Sequence, residues 1–513
     1  MDSPSLEEGS VKSRFSRDNA GSDLSIEKSS ITDTGIRPTI GVSSGISILM
    51  GTLISVEGFL FPGNVWQLTG SIGMSFVMWV IGAFVNFLGG LCYTELGTML
   101  PQSGGDMIYL NHFYHHPRQL FGYLYAWMLA MPAGMAAQLT AFGQYIMYAA
   151  VGEEVYNEES VATYGWISRG IGVVGLIAIF LLNITSMNWV NRAHAALAVL
   201  KILIMLFIII VGIVVAAGGL DVPNPGNWDD PFAGTSTGLY SYAQAFLRVN
   251  WALTGWATLN YTIGEVKRPE RTLPISIFSS LTIATILILL LNAAYSFVVP
   301  ADAAFAAQEL IAGSFGTIAM GEKVGQVLVS VLLAIVGFGS ASVNFFACSR
   351  ILHESARLKY MPGARYLSLV HGDSNTPRRC LVVLLMLTGI VLVAPPPGRV
   401  FSFFIELTSF SGYLFGVLVV VGMVLYRFKK PCQPRPFRVW LLVPIIMLLS
   451  YLFVVVCVFF PPEDTVADAE NKTPYYLPPV LSIAITLTGL PFWYVYVICD
   501  GSWRAALRLR PVE

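Results

Sequence analysis

Charged residues are scarce in this sequence. Asp, Glu, Lys and Arg together make up 12% of its 513 residues, whereas hydrophobic residues make up 55% and the mean hydropathy is +0.65. Soluble domains carry about 25% charged residues, so this composition excludes a soluble globular protein. It predicts an all-α integral membrane protein surrounded by membrane lipid.

Signatures of several other protein classes are also missing. No GxxxxGK[ST] phosphate-binding loop occurs, so the sequence does not indicate ATP as an energy source. The six histidines have no HExxH or CxxC pattern beside them, and we expect neither a metal nor a cofactor. No combination of nucleophile, general base and orienting group stands out, which argues against an enzyme. Nothing indicates a nucleic-acid partner.

Twelve apolar segments of about 20 residues, the length that crosses a bilayer, can be placed along the chain. They lie at 41–63, 71–99, 120–150, 165–185, 191–217, 241–263, 273–299, 322–349, 379–396, 400–426, 438–460 and 475–498. Residues 1–38 are polar, Ser/Thr-rich and without the apolar core of a signal peptide, so we expect a disordered tail there. A twelve-helix domain at 39–498 and a second tail at 499–513 follow.

Basic residues lie on one side of this arrangement. Lys267, Arg268 and Arg271 follow the sixth segment, whereas the loop at 218–239 contains no Lys or Arg. Because short loops rich in Lys and Arg stay in the cytoplasm, we expect both termini to be cytoplasmic. The even number of segments agrees with this orientation.

Two segments carry signs of an interrupted helix. The sixth runs into WALTGWATLNYTIGEVKRPERTLP (251–274), with Thr254-Gly255 inside its apolar part, and the first has Ser55 and Gly58 near its centre. A membrane helix loosens its backbone only where it lines a buried cavity. Broken helices in corresponding halves of a chain mark the substrate site of a transporter, so the pair predicts a carrier.

Longer motifs point to one family. CYTELGTMLPQSGGDMIYL (92–110), which includes Glu95, Pro101 and Asp106, could by itself be a loop that only returns the chain. Three further motifs are GEVKRPERTLP (264–274), PRPFRVWLLVPI (434–445) and LTGLPFWYVYV (487–497). With them, residues 40–498 resemble the amino acid–polyamine–organocation superfamily, in particular the L-type amino-acid transporters. Fungal methionine permeases are similar as well.

The resemblance implies a LeuT-like fold. In that fold two inverted repeats of five helices form the core, the first and sixth helices are broken, and the last two of the twelve helices are additions. It also implies that an amino acid is moved by alternating access.

The resemblance places the substrate carboxylate at the first break, where relatives carry a G-[ST]-G motif. This chain has Ser55-Val56-Glu57 there, followed by Gly58. We expect these four residues to contact the substrate. The side chain of Glu57 would repel an anion, and a charge inside a span is costly to bury. Glu57 is therefore either a functional group or half of a structural ion pair.

Lys201 lies near the middle of the fifth segment. The resemblance implies that, in proton-coupled relatives, a lysine at this position fills the place of a sodium ion. Burial disfavours the charged form of a lysine, so we expect Lys201 to take up and release a proton during transport. Alternatively, backbone carbonyls of the broken helices hold it permanently. Lys201 and Arg248 are also the cations that could pair with Glu57.

The second break contributes Trp251, Ala252, Thr254, Gly255 and Asn260 to the predicted substrate site. The resemblance implies an aromatic gate at Trp251, although a tryptophan in a span is more often a packing or interfacial residue. Asn260 either binds a polar group of the substrate or forms a hydrogen bond across the helices.

These observations predict a secondary transporter of neutral amino acids such as methionine, with proton symport favoured over exchange. The plasma membrane is the expected location, and an internal membrane is the alternative. Two alternatives stay open. Glu57 could recognise an amine, which would make the protein a carrier of polyamines or other organic cations. The protein could also be a nutrient sensor that binds its ligand without transporting it.

One partner is not expected. Some relatives join a single-span glycoprotein through a cysteine in the loop between spans three and four. Residues 151–164 contain no cysteine, so we expect no disulfide-linked heavy chain.

Overall fold

Helices run through most of the chain. In a computed structural model, the described residues are 38–129, 132–152, 161–307, 311–370, 376–395, 400–461, 474–499 and 501. The expected tail at 1–38 lies outside them except for its last residue, as does nearly all of 499–513. No strand forms within the described ranges, and an isolated parallel bridge joins Ile40 to Val266.

The helices of the first half of the chain begin just after the N-terminal tail. They are α1 (Val42–Leu53), α2 (Val56–Thr69), α3 (Ile72–Met99), α4 (Asp106–Phe113), α5 (Leu120–Leu129), α6 (Ala133–Val151), α7 (Val161–Asn183), α8 (Met187–Ala216), α9 (Leu239–Leu253) and α10 (Thr258–Tyr261). Short 3₁₀ turns at Thr254–Ala257 and Ile263–Glu265 flank α10.

The helices of the second half follow the basic loop. They are α11 (Pro269–Val298), α12 (Ala301–Ala307), α13 (Ile311–Met320), α14 (Glu322–Arg357), α15 (Ala364–Leu367), α16 (Arg378–Val393), α17 (Val400–Lys429), α18 (Leu442–Cys457) and α19 (Leu477–Trp493). A π-helical turn, Tyr494–Ile498, ends the last helix.

Nine helical segments of the described residues are long and apolar enough to cross a membrane. They are Val42–Thr69, Ile72–Met99, Leu120–Val151, Ala162–Asn183, Asn188–Ala216, Pro269–Val298, Glu322–Arg357, Phe403–Lys429 and Leu477–Ile498. The prediction of an all-helical integral membrane protein is confirmed.

Three of the twelve predicted segments form shorter helices. The segment at 241–263 is divided between α9 and α10, and α16 and α18 each contain 16 residues. At about 1.5 Å per residue such a helix is about 24 Å long, less than the ~30 Å of a hydrocarbon core. The number of twelve crossings therefore stays a prediction.

Both expected interruptions are present. Between α1 and α2 the backbone leaves the helix at Ile54 and is extended at Ser55, with φ −100° and ψ 166°. After α9 the chain tightens into the 3₁₀ turn at Thr254–Ala257 before α10 begins. Each interruption frees backbone groups that must find other partners inside a membrane.

Side chains satisfy carbonyl groups at both interruptions. The Lys201 ammonium donates to the Gly51 carbonyl over 2.6 Å, and the Thr52 hydroxyl donates to the Gly255 carbonyl over 3.1 Å. A Cβ at Gly255 would lie 2.6 Å from the Thr52 hydroxyl oxygen. Only glycine allows this approach, so the two broken segments lie directly against each other.

A buried charge cluster ties the end of α3 to the chain after α17. The Glu95 carboxylate accepts a hydrogen bond from Arg427, lies 3.6 Å from Arg435 Nε, and accepts from the Val439 amide over 2.8 Å. The side chain of Glu95 is 1% exposed. One carboxylate thus holds residues from both ends of the loop that leads to α18.

A second connection joins the chain before α1 to the chain after the second break. The Thr39 and Ile40 amides both donate to the Glu265 carbonyl over 2.8 Å, and the Lys267 amide donates to the Ile40 carbonyl over 2.8 Å. The Glu265 side chain forms a buried ion pair with Arg350 of α14, with 3.0 Å between Oε1 and Nε.

Replacing Glu95 should destabilise the protein strongly. Glu95→Ala leaves Arg427 and Arg435 without their shared carboxylate, and removing one partner of a buried ion pair lowers the free energy of unfolding by about 3–5 kcal/mol. Unfolding of the purified protein in detergent measures this loss. Glu322→Ala, which removes an exposed acid at the start of α14, is the control and should change stability by less than ~0.5 kcal/mol. Equal losses in the two variants would contradict a structural role for the cluster.

Candidate functional site

A cavity of about 280 Å³ lies where the two broken segments meet. Small-molecule sites typically measure about 300–1,000 Å³, so its size suits a small ligand. The first break contributes Thr52, Ser55 and Glu57 to its wall. The second break contributes several residues, among them Trp251, Thr254 and Gly255. Five of the residues expected at a substrate site are therefore brought together.

Glu57 is the buried acid of this wall. Its Oε1 accepts hydrogen bonds from Gln138 Nε2 over 3.0 Å and from Trp251 Nε1 over 3.3 Å. The amide of Asn344 donates to Gln138 Oε1 over 2.8 Å and fixes the orientation of that glutamine. Oε2 of Glu57 has no hydrogen-bond partner among the described residues. One carboxylate oxygen is thus held in place, while the other is buried without a partner among the described residues.

The two cations considered as partners of Glu57 make other bonds. Lys201 is fully buried and donates to the Gly51 carbonyl and, over 2.9 Å, to the Ser340 hydroxyl. Arg248 pairs with Glu406 of α17, with 3.3 Å between Nη2 and Oε1. The neutral amide of Gln138, which the sequence pattern did not single out, and the indole of Trp251, which it singled out as a gate, hold Glu57 instead.

Lys201 lies behind the first break and is not among the residues that line the cavity. Gly339 provides the space for it, because a Cβ there would lie 2.7 Å from Lys201 Cε. Lys201 is thus bonded to one backbone carbonyl of the first broken helix and to one side-chain hydroxyl. Its role in proton coupling stays a prediction.

Four other expected site residues lie outside the lining of the cavity. Val56, Gly58, Ala252 and Asn260 are all buried, and substrate contact by any of them stays a prediction. Asn260 forms a hydrogen bond across the helices, since its Oδ1 accepts from the Tyr109 hydroxyl over 3.0 Å.

Sequence reasoning missed a second carboxylate in the cavity wall. Asp106, the first residue of α4, lines the cavity together with Tyr93, Tyr125 and Tyr261. The hydroxyls of these three tyrosines lie within hydrogen-bonding reach of the carboxylate. The signal was present in the motif Gly104-Gly105-Asp106, but the same pattern is typical of an ordinary turn.

Gly105 allows Asp106 and Tyr261 to lie side by side. Its φ of 51° and ψ of −124° lie in a region that residues with a Cβ avoid. A Cβ at Gly105 would also lie 2.3 Å from Cδ1 of Tyr261. In addition, the Gly104 amide donates to the Tyr261 carbonyl over 3.1 Å. The turn before α4 is thus fitted to the end of the second broken segment.

The charge of the cavity wall has one sign. Glu57 and Asp106 are its acidic members, and no Lys, Arg or His is among the described residues that line it. No group of three His, Cys, Asp or Glu side chains in the described ranges is arranged to hold a metal ion. The lining therefore suits a small ligand that is neutral overall or positively charged.

Comparison with known proteins identifies relatives that are similar to this chain along most of its length. A family model described as Amino acid permease matches residues 40–486. The chain is 30% identical to the cystine/glutamate transporter of Homo sapiens over 89% of this chain and 84% of that protein. It is 29% identical to the large neutral amino acids transporter small subunit 2 of Homo sapiens over 90% and 81% of the two chains. It is 28% identical to the Asc-type amino acid transporter 1 of Mus musculus over 92% and 82%.

An alanine at Gly105 should disturb the turn that carries Asp106. Gly105→Ala adds both backbone strain and a clash with the Tyr261 ring, whereas Gly321→Ala adds strain alone, because φ there is 87° and nothing lies within 4 Å of the added Cβ. We expect Gly105→Ala to lower the free energy of unfolding by about 1–3 kcal/mol more than Gly321→Ala, the range for overpacking. Unfolding in detergent measures the difference. If the two variants lose the same stability, the Tyr261 contact is not a constraint.

Proposed function

The chain belongs to the amino acid permease family and transports amino acids, and we propose that it does so by alternating access through the cavity between its two broken helices. Its predicted place in the L-type amino-acid transporter group is confirmed by its relatives. The likeness to fungal methionine permeases stays a prediction. The proposal includes a LeuT-like arrangement of twelve helices, which the positions of the two breaks support.

The observation that carries the proposal is the half-satisfied carboxylate of Glu57. The ammonium group of an amino acid would pair with its open Oε2, while Gln138 and Trp251 hold Oε1. The substrate carboxylate would accept from the first amides of α2, since the N-terminal N–H groups of a helix lack partners within it and attract anions. Ammonium and carboxylate are thus recognised at the same helix end.

The lining of the cavity supports a neutral amino acid over an acidic one. A second carboxylate on the ligand would face Glu57 and Asp106 without a basic side chain among the described lining residues. Methionine fits this class, because its side chain is uncharged and adapts to irregular space. Trp251 would cover the bound substrate, since its indole reaches from α9 to Glu57.

The same two acids also favour a second candidate, a carrier of polyamines or other organic cations. An amine without a carboxylate would satisfy Glu57 and Asp106 and leave the amides of α2 unused. Transport of amino acids is the preferred candidate, because the relatives that align with most of the chain are amino-acid transporters.

Proton coupling, cellular location and partners are further parts of the proposal. We infer that Lys201 supports proton symport, because it is a buried cation that bonds directly to the first break. The protein would lie in the plasma membrane with both termini in the cytoplasm and without a disulfide-linked heavy chain. The distribution of basic residues supports the orientation. Most of the loop at 151–164 lies outside the described residues.

Uptake into proteoliposomes tests the proposal. Labelled methionine should accumulate, faster with an inward proton gradient, and spermidine should not compete for uptake. Glu57→Gln, which removes the charge that meets the substrate ammonium, should weaken methionine uptake at least about tenfold, as loss of a buried charge pair does. The exposed Glu322→Gln is the matched control. Uptake confined to spermidine would favour the amine carrier, and binding of methionine without flux would favour a sensor.

Lys201→Ala separates a proton-coupling role from a structural one. The variant loses both the titratable group and the bond to the Gly51 carbonyl. We expect the ratio of gradient-driven uptake to methionine exchange to fall at least about tenfold, with Lys323→Ala, an exposed lysine of α14, as the control. A parallel fall of both activities would show that Lys201 only holds the first break together.

A further inference from the structure

Asp106 lies in the cavity wall and has a buried carboxylate oxygen without a hydrogen-bond partner among the described residues. The residue is 8% exposed, and the oxygen in question is Oδ1. It shares no hydrogen-bond partner with Glu57, whose bonds come from α6 and α9. The cavity wall therefore has two separate acidic groups, and the proposed function assigns a role only to Glu57.

Burial and hydrogen bonding act in opposite directions on the charge of Asp106. Hydroxyls of Tyr93, Tyr125 and Tyr261 reach the carboxylate, and hydrogen bonds donated to a carboxylate stabilise the anion. A buried anion needs a compensating cation. Aromatic rings around a carboxylate suit an ammonium group in particular, because the ring faces attract cations as well.

We propose that Asp106, Tyr93, Tyr125 and Tyr261 form a second subsite of the cavity, which binds the side-chain ammonium of a cationic amino acid. This inference rests on the proposed function, because the backbone groups of the same substrate would occupy the Glu57 site. It extends the substrate class from neutral amino acids to those with an amine at the end of the side chain, such as lysine.

The alternative to a substrate ammonium at Asp106 is a proton, which would neutralise the same carboxylate. Asp106 lies between the candidate spans Ile72–Met99 and Leu120–Val151. Burial raises the pKa of its carboxyl to about 6, while the three tyrosine hydroxyls oppose the rise. The titratable groups that interact with it are the tyrosines 93, 109, 125, 261 and 451. Tyrosines are neutral at physiological pH, so the carboxylate carries its charge above pH ~6 and loses it below.

Three matched compounds test the subsite in proteoliposomes that contain the full chain. Norleucine has the four-carbon chain of lysine without its ammonium, and cadaverine has both amines of lysine without its carboxylate. Wild-type protein should take up lysine in preference to norleucine, and cadaverine should compete only weakly. Asp106→Asn should lower the lysine-to-norleucine uptake ratio at least about tenfold. Asp302→Asn, the same change at an exposed acid of α12, should leave the ratio unaltered.

A pH series on the wild-type protein keeps the test independent of the folding of the variant. The preference for lysine should be present at pH ~7.5 and lost at pH ~5, on either side of the Asp106 pKa of about 6. A preference that does not change over this range would overturn the inference.

The remaining outcomes separate the two proposals. An unchanged lysine-to-norleucine ratio in Asp106→Asn, or norleucine uptake without lysine uptake, would overturn the subsite and leave the proposed function standing. A variant that loses stimulation by the proton gradient for both compounds alike would make Asp106 a proton carrier, which also overturns the subsite. If the wild-type protein takes up none of the amino acids, the proposed function itself fails.

Discussion

The need to satisfy backbone polar groups inside a membrane governs this structure. Each break in a helix frees carbonyl and amide groups that water cannot reach. The buried Lys201 donates a hydrogen bond to the Gly51 carbonyl, and Thr52 donates one to the carbonyl of Gly255 in the other broken segment. These bonds allow two helices to open at the same place, and the cavity with its charged lining exists because they do.

The cavity combines firmly held groups with open ones. Glu57 is oriented by Gln138 and Trp251 through one oxygen, and Asp106 is surrounded by tyrosine hydroxyls, yet each carboxylate keeps an oxygen without a partner among the described residues. Unpaired buried acids destabilise a protein unless something compensates them. A ligand that brings positive charge would supply this compensation, so in the proposed function the two acids would contribute both affinity and selectivity.

The sequence predicted the local features of this fold better than its long-range contacts. Apolar runs and the glycine-containing interruptions indicated the spans and both breaks, because these depend on neighbouring residues. Asp106 was missed as a site residue because its setting depends on Tyr261, more than 150 residues away, and on the fit of Gly105 against that ring. The bonding of Glu57 was also unexpected, because the sequence offered Lys201 and Arg248 as charged partners, whereas Gln138 and Trp251 are neutral.

The parallel pairing around Ile40 and Val266 has a mechanical consequence. Three backbone hydrogen bonds fasten the chain that enters α1 to the chain that leaves the second break, and the Glu265–Arg350 ion pair anchors this junction to α14. The two broken helices are therefore bonded to each other through these chain segments at this end. Movement of the chain that enters α1 is therefore coupled to movement of the chain that leaves the second break for as long as these bonds persist.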